Sequence, residues 1–261
     1  MTHVRPAIAV AVITTFAAIA IGSLMVISGE YPDSRTNPGT PIAIKSQPPA
    51  TPSILLPSPT ATSSKGEAHP IPSSNNPLAA AAHNAKVVFL TFDDGPDPYW
   101  TPKILQVLAK YGAKATFFQR GDMALTYPGV RDQVLAAGHT IGNHSVSHRQ
   151  LTVLPAEKRR REISDGPKSR CFRPPFGATN RKVRSEIRAA GMTQILWDVD
   201  PQDWKRPGAA AIADNILHFT HRGSVVLLHD GGGDRGQTVA ALDRVLRTLK
   251  SQGYKFPAMN C

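Results

Sequence analysis

The sequence predicts an α/β fold for residues 86–261, with about seven parallel strands in a sheet that is either open or closed into a barrel. Apolar runs of strand length alternate here with amphipathic runs of helical length. Seven such units in about 175 residues are typical of parallel sheets, whose crossover connections are helices. In addition, titratable residues follow most of the predicted strands, which is where ligands bind in such folds.

The first strand–helix unit shows how each element is predicted. The run "VVFLTF" is typical of a buried strand, and "TPKILQVLAKYG" is typical of a helix with Thr101 as N-cap, Pro102 at its first position and Gly112 as its stop. The further predicted strands are "AKATFF", "HTIGNH", "CFRPPF", "MTQILWDVD", "GSVVLLHD" and "GYKFPAM". The further predicted helices are "RDQVLAAG", "PAEKRRREIS", "TNRKVRSEIRAAG" (capped by Thr179), "AAAIADNILHF" and "TVAALDRVLRTLKSQG".

The residues before this domain differ from it in composition. Residues 1–29 contain an uncharged apolar run from Ala7 to Ser28 that is long enough to span a bilayer, and we expect a signal anchor or a cleaved signal peptide. Residues 30–85 hold eleven of the 23 prolines, among Ser, Thr and Ala, which predicts a disordered linker. The expected domain, 86–261, is therefore extracytoplasmic, either anchored to a membrane through the N-terminus or secreted.

The net charge of the chain bears on its expected binding partners, and its two cysteines bear on a possible disulfide. The chain carries +11, and residues 1–85 hold only four basic and three acidic residues, so the domain carries about +10. A basic extracytoplasmic domain suits an anionic wall or membrane surface, although a generally soluble basic surface explains the charge equally well. No motif indicates nucleic-acid binding, and we expect a monomer. Cys171 and Cys261 could form a disulfide, but two unpaired thiols are the favoured expectation.

The predicted strand ends carry groups suited to a metal centre. Asp93 and Asp94 in "TFDDGP" would repel each other unless each had its own partner. His144 and His148 in "NHSVSH" lie four residues apart, and two His with one Asp leave an open position, as catalytic metal sites do. One Asp can then bind the metal while its neighbour, on the other face of the strand end, acts as a base. The titratable residues at the strand ends, in order, are Asp93, Asp94, His144, His148, Arg173, Asp198, Asp200, Asp203, His229 and Asp230.

Five short motifs carry a family resemblance. In chain order they are "TFDDGP", "HSVSH", "RPPFG", "WDVDPQDW" and "LLHD". Together they resemble the NodB-homology polysaccharide deacetylases, carbohydrate esterase family 4, over essentially all of residues 86–258. The resemblance implies a distorted (β/α) barrel and a hydrolase that removes N- or O-acetyl groups from polysaccharides with one divalent metal ion. Zinc is the expected metal, and cobalt, manganese or nickel would also suit two His and one Asp.

The resemblance also implies a role for each motif residue. Asp93 is the expected general base, with Arg173 beside it to orient it and keep it ionised. His229 is the expected general acid for the departing amine, and the backbone N–H of Phe176 is expected to stabilise the oxyanion. The expected metal ligands are Asp94, His144 and His148.

Four further residues have two interpretations each. Asp203 either orients Arg173 or tunes His229. Trp197 and Leu227 either shape an acetyl pocket or serve core packing alone, and Trp204 either flanks a sugar or packs.

The predicted substrate is the N-acetylated sugar of peptidoglycan, because an anchored basic domain suits an anionic polymer beside the membrane. Chitin oligosaccharides and acetylxylan are alternatives, as are a catalytically weak wall-binding protein and an amidohydrolase for small molecules. Two features depart from the family pattern. Only 24 residues separate His148 from Arg173, which predicts a thinly covered barrel flank, and Gln119 and Arg120 replace small apolar residues.

Overall fold

The computed structural model describes residues 85–261. The predicted N-terminal segment 1–29 and nearly all of the predicted linker 30–85 therefore lie outside the described residues. Within 85–261, no helix is both long enough and apolar enough to cross a bilayer.

Six parallel strands form one sheet in the order β5-β4-β3-β2-β1-β6. The strands are β1 (Phe89–Asp93), β2 (Ala115–Gln119), β3 (Thr140–Asn143), β4 (Cys171–Phe172), β5 (Thr193–Gln194) and β6 (Val225–His229). The helices are α1 (Trp100–Tyr111), α2 (Gly121–Thr126), α3 (Pro128–Ala136), α4 (Ala156–Ser164), α5 (Arg181–Ala189), α6 (Ala209–Phe219) and α7 (Gly236–Ser251). Short 3₁₀ turns cover Leu151–Val153, Pro175–Gly177 and Asp203–Lys205.

The sheet curls into a half-barrel whose two edge strands are joined by the segment after β5. The backbone N–H of Asp198 donates to Val225 O over 2.9 Å, and Leu227 N–H donates to Val199 O over 2.9 Å. The chain thus crosses from β5 to β6 and lies over the open side of the sheet. The predicted fold class, a distorted α/β barrel with parallel strands, is confirmed.

The last predicted strand, "GYKFPAM", is reduced to a few backbone bonds. Lys255 forms an isolated parallel bridge with Val87, and Val88 N–H donates to Lys255 O. Pro257 follows two residues later, and a proline cannot donate the next hydrogen bond of a ladder. The sheet therefore has six strands, with this segment attached beside β1.

Strand alternation divides the apolar residues between two cores. Leu90 and Phe92 of β1 face outward and join a cluster with residues of α1, α6 and α7. Phe89 faces inward and joins a second cluster inside the barrel, which includes Phe118, Trp197, Leu227 and Met259. Because side chains alternate along a strand, Thr91 and Asp93 share the inward face of β1 with Phe89. The strand itself thus directs Asp93 into the barrel.

Two predicted helix caps are wrong, and one predicted stop is confirmed. Helix α1 begins at Trp100, where Asp97 Oδ1 accepts the N–H groups of Tyr99 and Trp100 over 2.8 Å each. Thr101 and Pro102 therefore lie inside the helix as its second and third residues, and the prediction of Pro102 at the first position is also wrong. Helix α5 is capped by Asn180, whose Oδ1 accepts Val183 N–H over 3.0 Å, while the neighbouring Thr179 hydrogen-bonds Gln194 instead. Gly112 ends α1 in a left-handed conformation, as expected.

The short segment between His148 and Arg173 is packed despite its length. Leu151 and Ile163 are buried with Phe172, Val183 and Ile187 in a third apolar cluster. Arg159 of α4 makes a two-point ion pair with Glu186 of α5, over 2.7 and 2.8 Å. The barrel flank is therefore covered, contrary to the expectation from sequence.

A disulfide joins Cys171 at the start of β4 to Cys261. The expectation of two unpaired thiols is wrong. Arg170 N–H donates to Cys261 O over 3.0 Å, and Met259 N–H donates to Thr116 Oγ1 over 2.9 Å. The C-terminal residues thus run back beneath the barrel, and this return brings together two cysteines that are 90 positions apart.

Candidate active site

A pocket of about 450 Å³ opens at the carboxyl ends of the strands. It is lined by nine of the eleven predicted site residues, namely Asp93, Asp94, His144, His148, Phe176, Trp197, Trp204, Leu227 and His229. The other two, Arg173 and Asp203, are buried and contact lining residues from below. The strand ends therefore bring all eleven residues to one site.

Asp93 and Asp94 line the same pocket, although strand alternation would point them to opposite faces. Asp93 is the last residue of β1 and is 3% exposed. Asp94 has a φ of 75°, a left-handed conformation that Asp tolerates better than most residues. This turn redirects the Asp94 carboxylate toward the rim, so the prediction that the pair occupies opposite faces is wrong.

Arg173 lies fully buried beneath Asp93. Its Nη1 donates to Asp93 Oδ1 over 2.7 Å and to Thr91 Oγ1 over 2.8 Å. Nε and Nη2 point toward the carbonyl oxygens of Ile195 and Leu196, at 3.4 and 3.3 Å. Its guanidinium carbon lies 4.1 Å from the centre of the Phe118 ring. Every side of the planar group thus has a partner, which holds Asp93 in one orientation.

The pKa of Asp93 reflects two opposing effects. Burial raises the pKa of this carboxyl above its ordinary value, and the Arg173 charge and hydrogen bond act to lower it. The upward direction prevails. Arg173 was expected to keep the carboxylate ionised by lowering its pKa, and it only moderates the effect of burial. A carboxylate with a raised pKa is a stronger base than an ordinary one.

Asp94, His144 and His148 form a set of three groups that could hold a metal ion. One ligand atom from each lies within 4.8 Å of the others. Asp94 Oδ1 lies 3.2 Å from His148 Nε2 and 3.7 Å from His144 Nε2. This oxygen is buried and has no hydrogen-bond partner among the described residues. Since an unpartnered buried carboxylate oxygen is costly, a cation between these groups fits the site.

The surroundings of His144 favour its metal-binding protonation state, and backbone contacts fix the loop that carries His148. His144 Nδ1 donates to Arg173 O over 2.8 Å, which leaves Nε2 unprotonated toward the pocket. Burial lowers the pKa of His144 to about 3, so its ring is neutral. Ser145 and His148 both have positive φ, and His148 N–H donates to Ser145 Oγ. Glu162 of α4 accepts the N–H groups of Val146 and Ser147 and fixes this loop.

His229 and Asp203 form a second pair on the opposite side of the pocket. His229 ends β6, next to Asp93 in the parallel register, and its Nδ1 donates to Asp203 Oδ1 over 2.7 Å. Asp203 Oδ2 accepts the backbone N–H of His229 and the hydroxyl of Thr238. Asp203 therefore contacts His229 and not Arg173, which resolves the alternative that the sequence left open.

The contact between His229 and Asp203 favours the charged form of each group: it raises the pKa of the histidine and lowers the pKa of the aspartate. Burial alone would lower the pKa of His229, but the Asp203 charge and hydrogen bond, aided by Asp93 and Asp94, raise it to about 9. Burial alone would raise the pKa of Asp203, yet His229, Thr238 and Arg235 bring it below its ordinary value. At neutral pH His229 is thus protonated and can donate a proton from its remaining ring nitrogen.

Aromatic side chains form the walls of the pocket. Phe176 is 67% exposed, has a φ of 61° and packs its ring against His148 at 4.5 Å. Trp204 is 49% exposed. Trp197 and Leu227 are almost fully buried and belong both to the pocket lining and to the inner core. These two buried residues therefore both shape the pocket and pack in the core.

One residue of the pocket, Arg235, was not predicted from the sequence. Two of the predicted strand-end residues, Asp198 and Asp230, do not line the pocket. Arg235 lines the pocket and donates to the carbonyl oxygens of Gly231 and Gly232, holding the loop after His229. Its place in "GGGDRGQT", directly after "LLHD", was the available signal. Asp200 also lines the pocket, whereas Asp198 accepts Val225 N–H. Asp230 is fully buried and accepts from Thr101 and Gly95.

Comparison with known proteins confirms the family resemblance. The polysaccharide deacetylase family profile matches residues 80–195. A peptidoglycan-N-acetylglucosamine deacetylase of Bacillus cereus is 43% identical over 67% of this chain and 86% of its own. A chitooligosaccharide deacetylase of Azorhizobium caulinodans is 34% identical over 67% of this chain and 94% of its own. The solved structure of the peptidoglycan deacetylase PdaC of Bacillus subtilis is 37% identical, with a TM-score of 0.61, over 66% of this chain and 87% of that one.

Proposed function

The chain belongs to the polysaccharide deacetylase family, and on that premise we propose that it hydrolyses N-acetyl groups of a cell-wall polysaccharide with the help of a divalent metal ion. One observation carries the proposal. A single pocket is bordered by a three-ligand set, a buried Asp–Arg pair and a protonated His–Asp pair. Hydrolysis of an amide needs these three elements: a polarising charge, a base for water and an acid for the amine.

In this proposal Asp94, His144 and His148 hold the ion. A divalent cation bound there supplies charge that polarises the acetyl carbonyl and makes water more acidic. Two imidazoles and one carboxylate suit zinc, and cobalt, manganese or nickel are alternatives.

Asp93 acts as the general base for the attacking water. Its Oδ1 is held by Arg173, so Oδ2, which lies 3.7 Å from His144 Nε2, is the oxygen available to take a proton. The raised pKa of Asp93 supports this role, because it increases the proton affinity of that oxygen.

His229 acts as the general acid. With Nδ1 bonded to Asp203, the protonated ring gives its second proton to the departing amine nitrogen, and the amine leaves together with acetate. The backbone N–H of Phe176 is the proposed donor to the oxyanion, and its left-handed turn beside His148 supports this role. The reaction needs no covalent intermediate.

The proposed substrate is the N-acetylated amino sugar of peptidoglycan. The names of the Bacillus cereus and Bacillus subtilis relatives support this choice, and the Azorhizobium caulinodans relative makes chitin oligosaccharides the alternative. Exposed Phe176 and Trp204 offer rings against which a sugar can lie. We also propose a monomeric, extracytoplasmic enzyme that is attached to a membrane or released through residues 1–29.

The test is acetate release by the full chain from peptidoglycan, chitin oligosaccharides and acetylxylan, each with chelator and after addition of zinc. We expect release from peptidoglycan that chelation abolishes and zinc restores. Release from acetylxylan alone would contradict the proposed substrate, and undiminished release by protein shown to be free of metal would contradict the proposed mechanism.

A further inference from the structure

Helix α5 carries a cluster of arginines away from the active-site pocket. Arg181, Arg184 and Arg188 are exposed, and together with Ser185 and Ala189 they line a surface cavity of about 560 Å³. We call this cavity the α5 hollow. Its lining contains three cationic side chains and no acidic one.

The helical repeat explains why the hollow is so strongly cationic. At 100° per residue, positions 181, 184, 185 and 188 fall on one side of α5, opposite the buried Val183 and Ile187. Glu186, the one acidic residue of α5, lies on the flank that faces α4 and is engaged by Arg159. Within residues 85–261, no carboxylate forms an ion pair with any of the three hollow arginines.

Fold stability does not account for this cluster. Like charges three or four residues apart on a helix repel, and Arg181 lies in the first turn, where the helix dipole disfavours positive charge and no acidic residue is present. Three other exposed arginines do have carboxylate partners: Arg131 with Asp132, Arg161 with Glu157 and Arg244 with Asp214. An anion that enters the hollow would relieve the repulsion.

We propose that the α5 hollow binds phosphodiester groups of a linear anionic polymer in the cell wall. All three cations of the hollow are arginines, the residue type preferred for phosphate recognition, and a guanidinium fork can bind the two non-bridging oxygens of a phosphodiester. At 1.5 Å per residue, Arg181 and Arg188 lie about 10 Å apart along the helix, so a chain carrying successive phosphates can engage both ends. The three side chains form one row along a single helix, which suits a single linear polymer strand.

The position of α5 connects this surface to the catalytic pocket. The turn Pro175–Gly177 contributes two residues to that pocket, and α5 begins four residues after the turn ends. The row of arginines therefore begins close along the chain to the catalytic pocket. This inference goes beyond the proposed function, and the binding measurement below does not depend on catalysis.

The experiment compares two triple variants of the full chain that lose the same charge. The first variant removes the three arginines of the hollow (Arg181→Gln/Arg184→Gln/Arg188→Gln). The control variant removes three ion-paired arginines elsewhere on the surface (Arg131→Gln/Arg161→Gln/Arg244→Gln). Affinity for poly(glycerol phosphate) is measured by calorimetry, with phosphatidylglycerol vesicles and polyglutamate as comparison ligands. Thermal unfolding checks the fold, which we expect to be intact because Gln and Arg have similar helix propensities.

We expect the hollow variant to bind poly(glycerol phosphate) roughly tenfold or more weakly than wild type, since several charge-assisted hydrogen bonds are lost. The control triple should retain most of the affinity, and both variants should release acetate from soluble chitin oligosaccharides at the wild-type rate. If both triple variants bound poly(glycerol phosphate) equally weakly, the effect would be one of net charge alone, and the proposal would be wrong. Equal or tighter binding of wild type to polyglutamate or to the vesicles would also overturn it.

Discussion

Asp203 binds His229 at two points, because its Oδ1 accepts the ring Nδ1–H over 2.7 Å while its Oδ2 accepts the backbone N–H over 3.0 Å. One carboxylate thus fixes the ring orientation and supplies the charge that raises the pKa of His229 to about 9. The Asp94 carboxylate also helps to raise the pKa of His229, but a cation bound to Asp94 would oppose that contribution. In the metal-loaded protein, therefore, Asp203 is the principal source of the raised pKa.

The first prediction concerns pH dependence in Asp203→Asn. In wild type the acid form of His229 persists up to about pH 9, so activity should fall only as the pH rises through that value. Without the Asp203 charge, burial lowers the pKa, and the alkaline limb should move to pH 6.5 or below. We expect kcat at pH 8 to fall by roughly a hundredfold, as is typical for loss of a general acid. The pH–rate profile for acetate release checks this.

Asp200→Asn is the matched control, because Asp200 lines the same pocket without a hydrogen bond to His229. Its alkaline limb should stay near that of wild type. The same His–Asp pair should also stabilise the fold: a raised histidine pKa stabilises fully below pH 6.5, and the stabilisation is lost as the pH rises through about 9. An unchanged alkaline limb in Asp203→Asn would contradict the assignment of His229 as the acid.

The second prediction separates the two adjacent aspartates. Asp93→Asn should keep the metal, because the ligand set is intact, and should lose roughly a hundredfold or more in rate through loss of the base. Asp94→Asn and His144→Ala should lose the metal and the activity together. Metal content of the purified variants, measured beside acetate release, distinguishes the two outcomes. If Asp93→Asn loses the metal and Asp94→Asn retains it, our assignment of the pair is reversed.

The candidate site was largely predictable because a parallel sheet delivers its strand ends to one rim. Asp93 and His229 end neighbouring strands in register, and the motifs mark those ends in the sequence. The relation of Asp94 to Asp93 was not predictable, because it depends on a positive φ that reverses strand alternation. The disulfide was missed for a similar reason. It requires the C-terminal residues to return beneath the barrel, and no local pattern encodes such a return.

The third prediction concerns the buried ion pair of Arg173 and Asp93. Arg173→Met should destabilise the fold by about 3–5 kcal/mol, because it leaves a buried carboxylate without its partner. The double variant Arg173→Met/Asp93→Asn should recover part of this loss, since the remaining group is neutral. Arg244→Met, which breaks an exposed pair with Asp214, should cost no more than about 1 kcal/mol. Urea unfolding of wild type, these three variants and Asp93→Asn tests this, and a loss in the double variant equal to the sum of the two single losses would contradict coupling.

The last prediction concerns the disulfide of Cys171 and Cys261. Denatured, non-reduced protein should contain no free thiol, and reduction should release two, as a thiol titration can count. The bond closes a segment of 90 positions, so Cys171→Ser/Cys261→Ser should lower the free energy of unfolding by about 2–5 kcal/mol. Because Cys171 lies two positions before Arg173 on the same inward face, we also expect kcat to fall while KM changes little. A double variant as stable as wild type would show that the hydrogen bonds of Arg170 and Met259 hold the C-terminal residues without the covalent link.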